Sequence, residues 1–169
     1  MKKLLILIVA ALLLTSCGTQ TKTNSKNKAN NKAAEQSEIT LDDFDEWITI
    51  HIWNKGFCDI YHYVENGKSS TGTTLDIEFT VDELKTTMKK KDTYNEFIMS
   101  LDDSDENYAQ IKKAWVKMSE QIDILYDKAV TETPRPKDPT YEFDCGLFNQ
   151  YLDSYKNAYN RIKWPDVYK

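Results

Sequence analysis

The sequence predicts an all-α protein, and within that class a four-helix bundle. Three observations carry this expectation. From residue 39 onward, apolar residues recur at three- and four-residue steps in four separate stretches, the period of a helix with one buried face. Helix-start residues (Thr, Ser or Asp ahead of acidic ones) precede these stretches, and Gly or Pro closes most of them. Four amphipathic helices of about twenty residues, joined in one chain, bury their faces most simply against one another.

Helix 1 is predicted over 41–65. Thr40 stands as its cap, and Asp42, Asp43, Asp45 and Glu46 suit its positive end. Ile50, Trp53, Phe57, Ile60 and Val64 make the expected stripe, flanked by Trp47 and Tyr61, and Asn66-Gly67 ends it. Helix 2 is predicted over 81–101. Thr80 and Glu83 form a capping-box pattern, with Phe79 placed to staple onto Leu84. Its apolar register falters at Lys89-Lys90-Lys91-Asp92, so a kink is expected near residue 91. Helix 3, predicted over 104–130 with Ser104 as cap, keeps Tyr108, Ile111, Trp115, Met118, Ile122, Leu125 and Ala129 on one face without a break. Helix 4 is predicted over 141–163, capped by Thr140, with Tyr141, Cys145, Phe148, Leu152, Tyr155, Tyr159 and Ile162 in its stripe and Pro165 beyond its end. The connection 66–79 is long for a bundle. Leu75-Asp76-Ile77-Glu78-Phe79 alternates like a strand, and an extended stretch packed on the bundle is expected there.

The N-terminus has a different character. Lys2 and Lys3 precede an apolar run, Leu4 to Leu14, that is too short to span a bilayer as a mature helix. Leu14-Thr15-Ser16-Cys17 follows directly. This arrangement resembles the signal peptide and lipobox of bacterial lipoproteins, over residues 1–17 only. The resemblance implies cleavage after residue 16 and a diacylglycerol, with further acyl groups such as palmitate, on Cys17. It also implies location at the cell membrane on the extracytoplasmic side. Two or more chains anchor stably where one does not. Residues 18–38 contain no aliphatic residue larger than Ala and no aromatic, so they are expected to form a flexible tether. The domain reading is therefore signal peptide 1–16, lipidated tether 17–38 and helical-bundle domain 39–169.

Charge narrows the function. Two lysines belong to the leader, and the tether holds four lysines and two glutamates. Residues 39–169 then carry 16 basic and 25 acidic residues, a net charge of -9. Nucleic acid as a partner is disfavoured, because it selects clustered Lys and Arg. His51 and His62, eleven residues apart, fall on one face of a regular helix at about 16 Å separation and cannot share a metal. Asp102-Asp103-Ser104-Asp105-Glu106 lacks the glycine of a calcium loop and reads as a helix start. Gly67-Lys68-Ser69-Ser70 lacks the first glycine of a phosphate-binding loop and reads as a solvated turn. Lys89-Lys90-Lys91 reads as a solvated face. No nucleophile elbow, zincin pattern or glycine-rich dinucleotide loop is present, and the seams of helices 1, 3 and 4 hold no Asp, Glu or His for a di-metal centre. No enzyme activity and no cofactor are expected.

Cys58 and Cys145 remain after Cys17 is assigned. In an up-down-up-down bundle they fall at similar heights on antiparallel neighbours, and a disulfide is expected. It would close a loop of roughly ninety residues and stabilise by about 4–5 kcal/mol on the chain-entropy account. Buried thiols acting as small apolar residues are the other reading. Trp47, Tyr151 and Trp164 are the candidate partner contacts, being aromatics beside or beyond the predicted stripes. Together these features suggest an anchored lipoprotein whose bundle binds a macromolecule, in a docking, accessory, immunity or exclusion role. The alternative is a small ligand or cell-wall polymer held in an aromatic groove.

Overall fold

The computed structural model describes residues 39–168. These form an all-α bundle built from α1 (Leu41–Glu46), a π-helical segment (Trp47–Cys58), α2 (Asp59–Asn66), α3 (Ile77–Met88), α4 (Lys91–Ser100), α5 (Glu106–Thr131) and α6 (Gly146–Lys163). The first three run on without interruption as one rod.

The rod begins as its sequence suggests. The Thr40 hydroxyl accepts from the Asp43 amide, and the Asp43 carboxylate accepts from the Thr40 amide at 2.8 Å, closing a capping box. It ends on Gly67 at φ 80°, a left-handed conformation that glycine adopts without a Cβ clash. Its centre differs from expectation. The buried face is Phe44, Ile48, Ile52, Gly56, Ile60 and Val64, with Trp47 and Phe57 beside it, whereas Ile50 and Trp53 are only half-buried. The buried residues follow strict four-residue steps. In an α-helix each such step overshoots one turn, so five of them drift about 200° around the axis. The wider i→i+5 turn holds more than four residues, and the same step undershoots. Joining α, π and α segments cancels the drift and keeps Phe44 and Val64 against the same core.

Gly56 lies where α3 crosses the π segment. A Cβ there would stand 3.1 Å from Leu84 Cδ1, so the missing side chain sets how closely α3 approaches. Helix α3 starts four residues earlier than predicted, because Asp76 caps it by accepting from the Phe79 amide. The stretch expected to be extended is therefore mostly first turn, and Phe79 is exposed instead of stapling to Leu84. The break between α3 and α4 lies at Lys89–Lys90. There the amides fall back to i→i+3 bonds, and the Thr87 carbonyl also receives the Trp47 indole N–H at 3.2 Å. Asp105, not Ser104, caps α5, accepting from the amides of Asn107 and Tyr108.

Helix α6 starts at Gly146, five residues after the predicted boundary, and Thr140 does not cap it. Tyr141, Phe143 and Cys145 are buried while Glu142 and Asp144 are exposed, the two-residue alternation of extended chain. These residues fit both a helical and an extended pattern. The extended one places three side chains rather than two in the core.

Two aromatic clusters show the topology. Near the start of the rod, Phe44 contacts Tyr94 of α4, Trp115 of α5 and Tyr155 of α6, with ring centroids 5.7, 5.2 and 5.2 Å away. Near its other end, Phe57 and Trp53 pack on Phe148 of α6 at 5.4 and 5.5 Å. The rod thus meets the late part of α6 with its start and the early part with its end. They are antiparallel, as in an up-down-up-down bundle. Among the described residues no helix is long and apolar enough to cross a membrane.

Candidate functional site

The π segment gives the rod two unlike grooves. On the α3 side, His51, Lys55 and Asp59 face Leu75, Phe79, Thr80 and Glu83 across a cavity of about 400 Å³. His51 Nε2 lies 4.0 Å from the Glu46 carboxylate, five residues earlier and therefore its neighbour in π geometry. Asp59 accepts at 2.8 Å from the Ser70 amide and at 2.6 Å from its hydroxyl, which pins the loop after α2. On the α6 side, Trp53, Cys58, Tyr61 and His62 face Asp144, Cys145, Gly146 and Asn149 across about 290 Å³. The expectation that His51 and His62 share a face is thus overturned. The wider turns between them shift the register, and they look into different grooves.

Cys58 and Cys145 do meet in the second groove, as the antiparallel topology requires. The expected disulfide is not formed, and both are free thiols. The Cys145 sulfur sits 4.0 Å from the Phe57 carbonyl oxygen, while the Cys58 thiol is engaged by Ser70. Burial first, then the charge of Asp144, pushes the Cys145 thiol up to about 12. Burial also raises Cys58, followed by the charge of Asp59. Neither thiol is an activated nucleophile.

Of the three expected contact residues, Trp47 is a core residue. It is buried in the rod, stacks on Tyr94 with centroids 4.8 Å apart, and donates its indole N–H to α3. The start of the rod lies inside the bundle because its capping box precedes Trp47 by a full turn. Tyr151 is half-buried and lines a groove between α5 and α6 with Gln110, Lys113, Ala114, Lys117 and Ser154. Trp164 is exposed just beyond the last turn of α6. Cys17 lies outside the described residues.

The acidic run resolves into structural roles. Asp102 accepts from the Ser104 amide and hydroxyl, Asp103 pairs with Lys112 at 2.7 Å, and Asp105 is the cap of α5. Among the described residues, no three His, Cys, Asp or Glu are arranged to hold a metal ion. The loop with Gly67 to Ser70 is closed by its own hydroxyls, Ser69 contacting Thr71 and Thr73 at 2.9 and 2.8 Å.

Sequence reasoning singled out Tyr151 but passed over the rest of the α5–α6 outer face. Lys113, Lys117 and Ile124 share one side of α5 by their spacing, and Leu147, Tyr151 and Ser154 share one side of α6. Ile124 and Leu147 are both more than half exposed. Lys113 has no acidic partner among the described residues, and Lys117 has only exposed Glu120 at 3.4 Å. The available signal was apolar residues placed off the main stripe of each helix. No family model, curated protein or solved structure matches this chain.

Proposed function

We propose that this chain is a membrane-anchored, extracytoplasmic lipoprotein whose helical bundle docks a protein partner. The lipobox-like pattern ending at Cys17 supports the anchor. The observation that carries the docking reading is the α5–α6 face. Ile124 and Leu147 are more than half exposed and by helical spacing share the sides of α5 and α6 that carry Lys113, Lys117 and the half-buried Tyr151. In a domain of net charge -9, a face that joins exposed apolar residues to two lysines suits a segment of opposite charge and matching apolar residues. The partner is therefore a protein presenting an acidic, amphipathic segment near the membrane. A photo-crosslinking residue at position 151 tests this in native membranes, against the same residue at Glu78 on the α3 side. One protein captured from position 151 alone, and lost when Leu147→Asp is added, supports docking there. Equal capture from both positions counts against it.

A second reading has its own observation. The groove with Trp53, Tyr61, His62 and Asn149 combines aromatic faces with polar groups, as small-ligand and sugar sites do. Titration with cell-wall fragments, read by Trp fluorescence in wild type and Trp53→Phe, separates it from the first. A saturable change lost in the variant supports the groove.

A further inference from the structure

Helix α6 does not end in a frayed coil. The Val167 amide donates to the Trp164 carbonyl at 3.0 Å, which closes a turn around Pro165. In that turn and directly after it three large side chains are exposed: Trp164 is 56% exposed, Val167 76% and Tyr168 48%. An ordered turn that holds an indole, a branched aliphatic and a phenol in solvent needs a reason. Packing inside this bundle does not supply one.

The position of the turn does. Asp42, in the first turn of the rod, accepts a hydrogen bond from Tyr159 at 2.9 Å and pairs with Lys163, the last residue of α6. The end of α6 is therefore fastened to the start of the rod. The described chain begins at Ile39, so the preceding segment joins the bundle at this same end. On the reading that Cys17 carries the lipid, the exposed turn lies at the end of the bundle from which the anchor leaves. Its residue types, Trp and Tyr with an aliphatic between, are those that settle at the headgroup level of a bilayer.

We infer that Trp164, Val167 and Tyr168 form a membrane-contact turn that rests in the headgroup region of the leaflet holding the lipid anchor. The contact fixes which end of the bundle faces the bilayer and leaves the α5–α6 face free along the side. It is driven by ring burial and not by charge.

This inference rests on the lipoprotein reading, and one preparation tests the two separately. The mature lipidated protein is reconstituted into phosphatidylcholine vesicles whose acyl chains are brominated near the headgroup. Flotation reads the anchor, and quenching of Trp emission reads the contact. Trp47 and Trp115 are buried and Trp53 is half-buried, so the quenched component belongs to Trp164. Expected are flotation, quenching, loss of that component in Trp164→Phe, its weakening in Val167→Asp, and quenching that persists in high salt. Flotation without quenching, quenching that survives Trp164→Phe, or loss of quenching in high salt overturns the contact while leaving the anchor intact. Failure to float overturns the anchor, and the inferred contact with it.

Discussion

Replacing Tyr155 by Phe should stabilise this protein. Tyr155 is fully buried in α6, and its hydroxyl has no partner within ordinary hydrogen-bond geometry, the Asp45 carboxylate reaching it only outside those limits. The ring does make contacts, edge-on to Phe44 at 5.2 Å and stacked on Tyr159 at 5.9 Å. Tyr155→Phe keeps both and removes only the oxygen. A hydroxyl taken from water without a partner costs about 1–3 kcal/mol, against which the dispersion lost from one atom is smaller. A net gain of about 1 kcal/mol is expected in urea unfolding at pH 7. The alkaline limb gives a second readout. Burial, and after it the charge of Asp45, holds the Tyr155 hydroxyl protonated far above the ordinary tyrosine range. Its folded pKa is raised, so its contribution is complete below the unfolded value near 10 and lost as pH rises above it. Each further pH unit removes about 1.4 kcal/mol. Stability of the variant should therefore fall with a slope shallower by one proton. Destabilisation of Tyr155→Phe by more than about 1 kcal/mol at pH 7, or equal slopes above pH 10, would refute the assignment of a partnerless hydroxyl.

Gly56→Val should destabilise by about 2 kcal/mol. Its side chain would enter the space of the buried Leu84 and push α3 from the rod, and urea midpoints compared with Gly56→Ala measure this. Alkylation at pH 8 should modify Cys58 slowly and Cys145 only once the protein unfolds, since the latter thiol is buried and raised to about 12; intact mass with and without denaturant reads both. Asp42→Asn should lower the melting temperature at neutral pH and flatten the acid limb. The bonds from Lys163 and Tyr159 lower the Asp42 pKa, so its contribution is present above the unfolded value near 4 and lost as pH falls through the folded one. Thermal melts from pH 7 to 3 check the direction, and parallel curves for wild type and variant would exclude Asp42 as the source.

Helix α5 was the most legible element because its stripe has one dominant period. In α5, Ile111, Trp115, Met118, Ile122, Leu125 and Ala129 fit a helix and no other element, and all are buried. The misread places are those where two periods fit the same letters. Tyr141, Phe143 and Cys145 satisfy alternation, while Tyr141, Cys145 and Phe148 satisfy a helix. The core around Phe57 decided for alternation, because Phe143 then reaches it at 6.1 Å. Leu75, Ile77 and Phe79 made the opposite choice, because Asp76 can cap a helix and no neighbouring strand exists among the described residues to reward alternation. Propensity is a weak prior where a tertiary partner can override it.

The rod shows how such a choice reaches the functional surface. Two stripes compete in residues 44–64. The three-four stripe through Ile50 and Trp53 would keep a regular helix, and the four-step stripe through Ile48, Ile52 and Gly56 needs a wider one. The second prevails because Gly56 lets Leu84 come close and because Trp47 can reach the Thr87 carbonyl. With Ile50 as a core residue, Trp53 would follow it inward, and the α6-side groove would lose its aromatic wall. The π turns instead leave Trp53 stacked on Phe148 at the rim, beside Tyr61, His62 and the two thiols. They also rotate His51 away, toward Lys55 and Glu83. The departure from α-geometry therefore decides which side chains line each groove. A single bulky residue at position 56 should disturb both grooves even though it contacts only one.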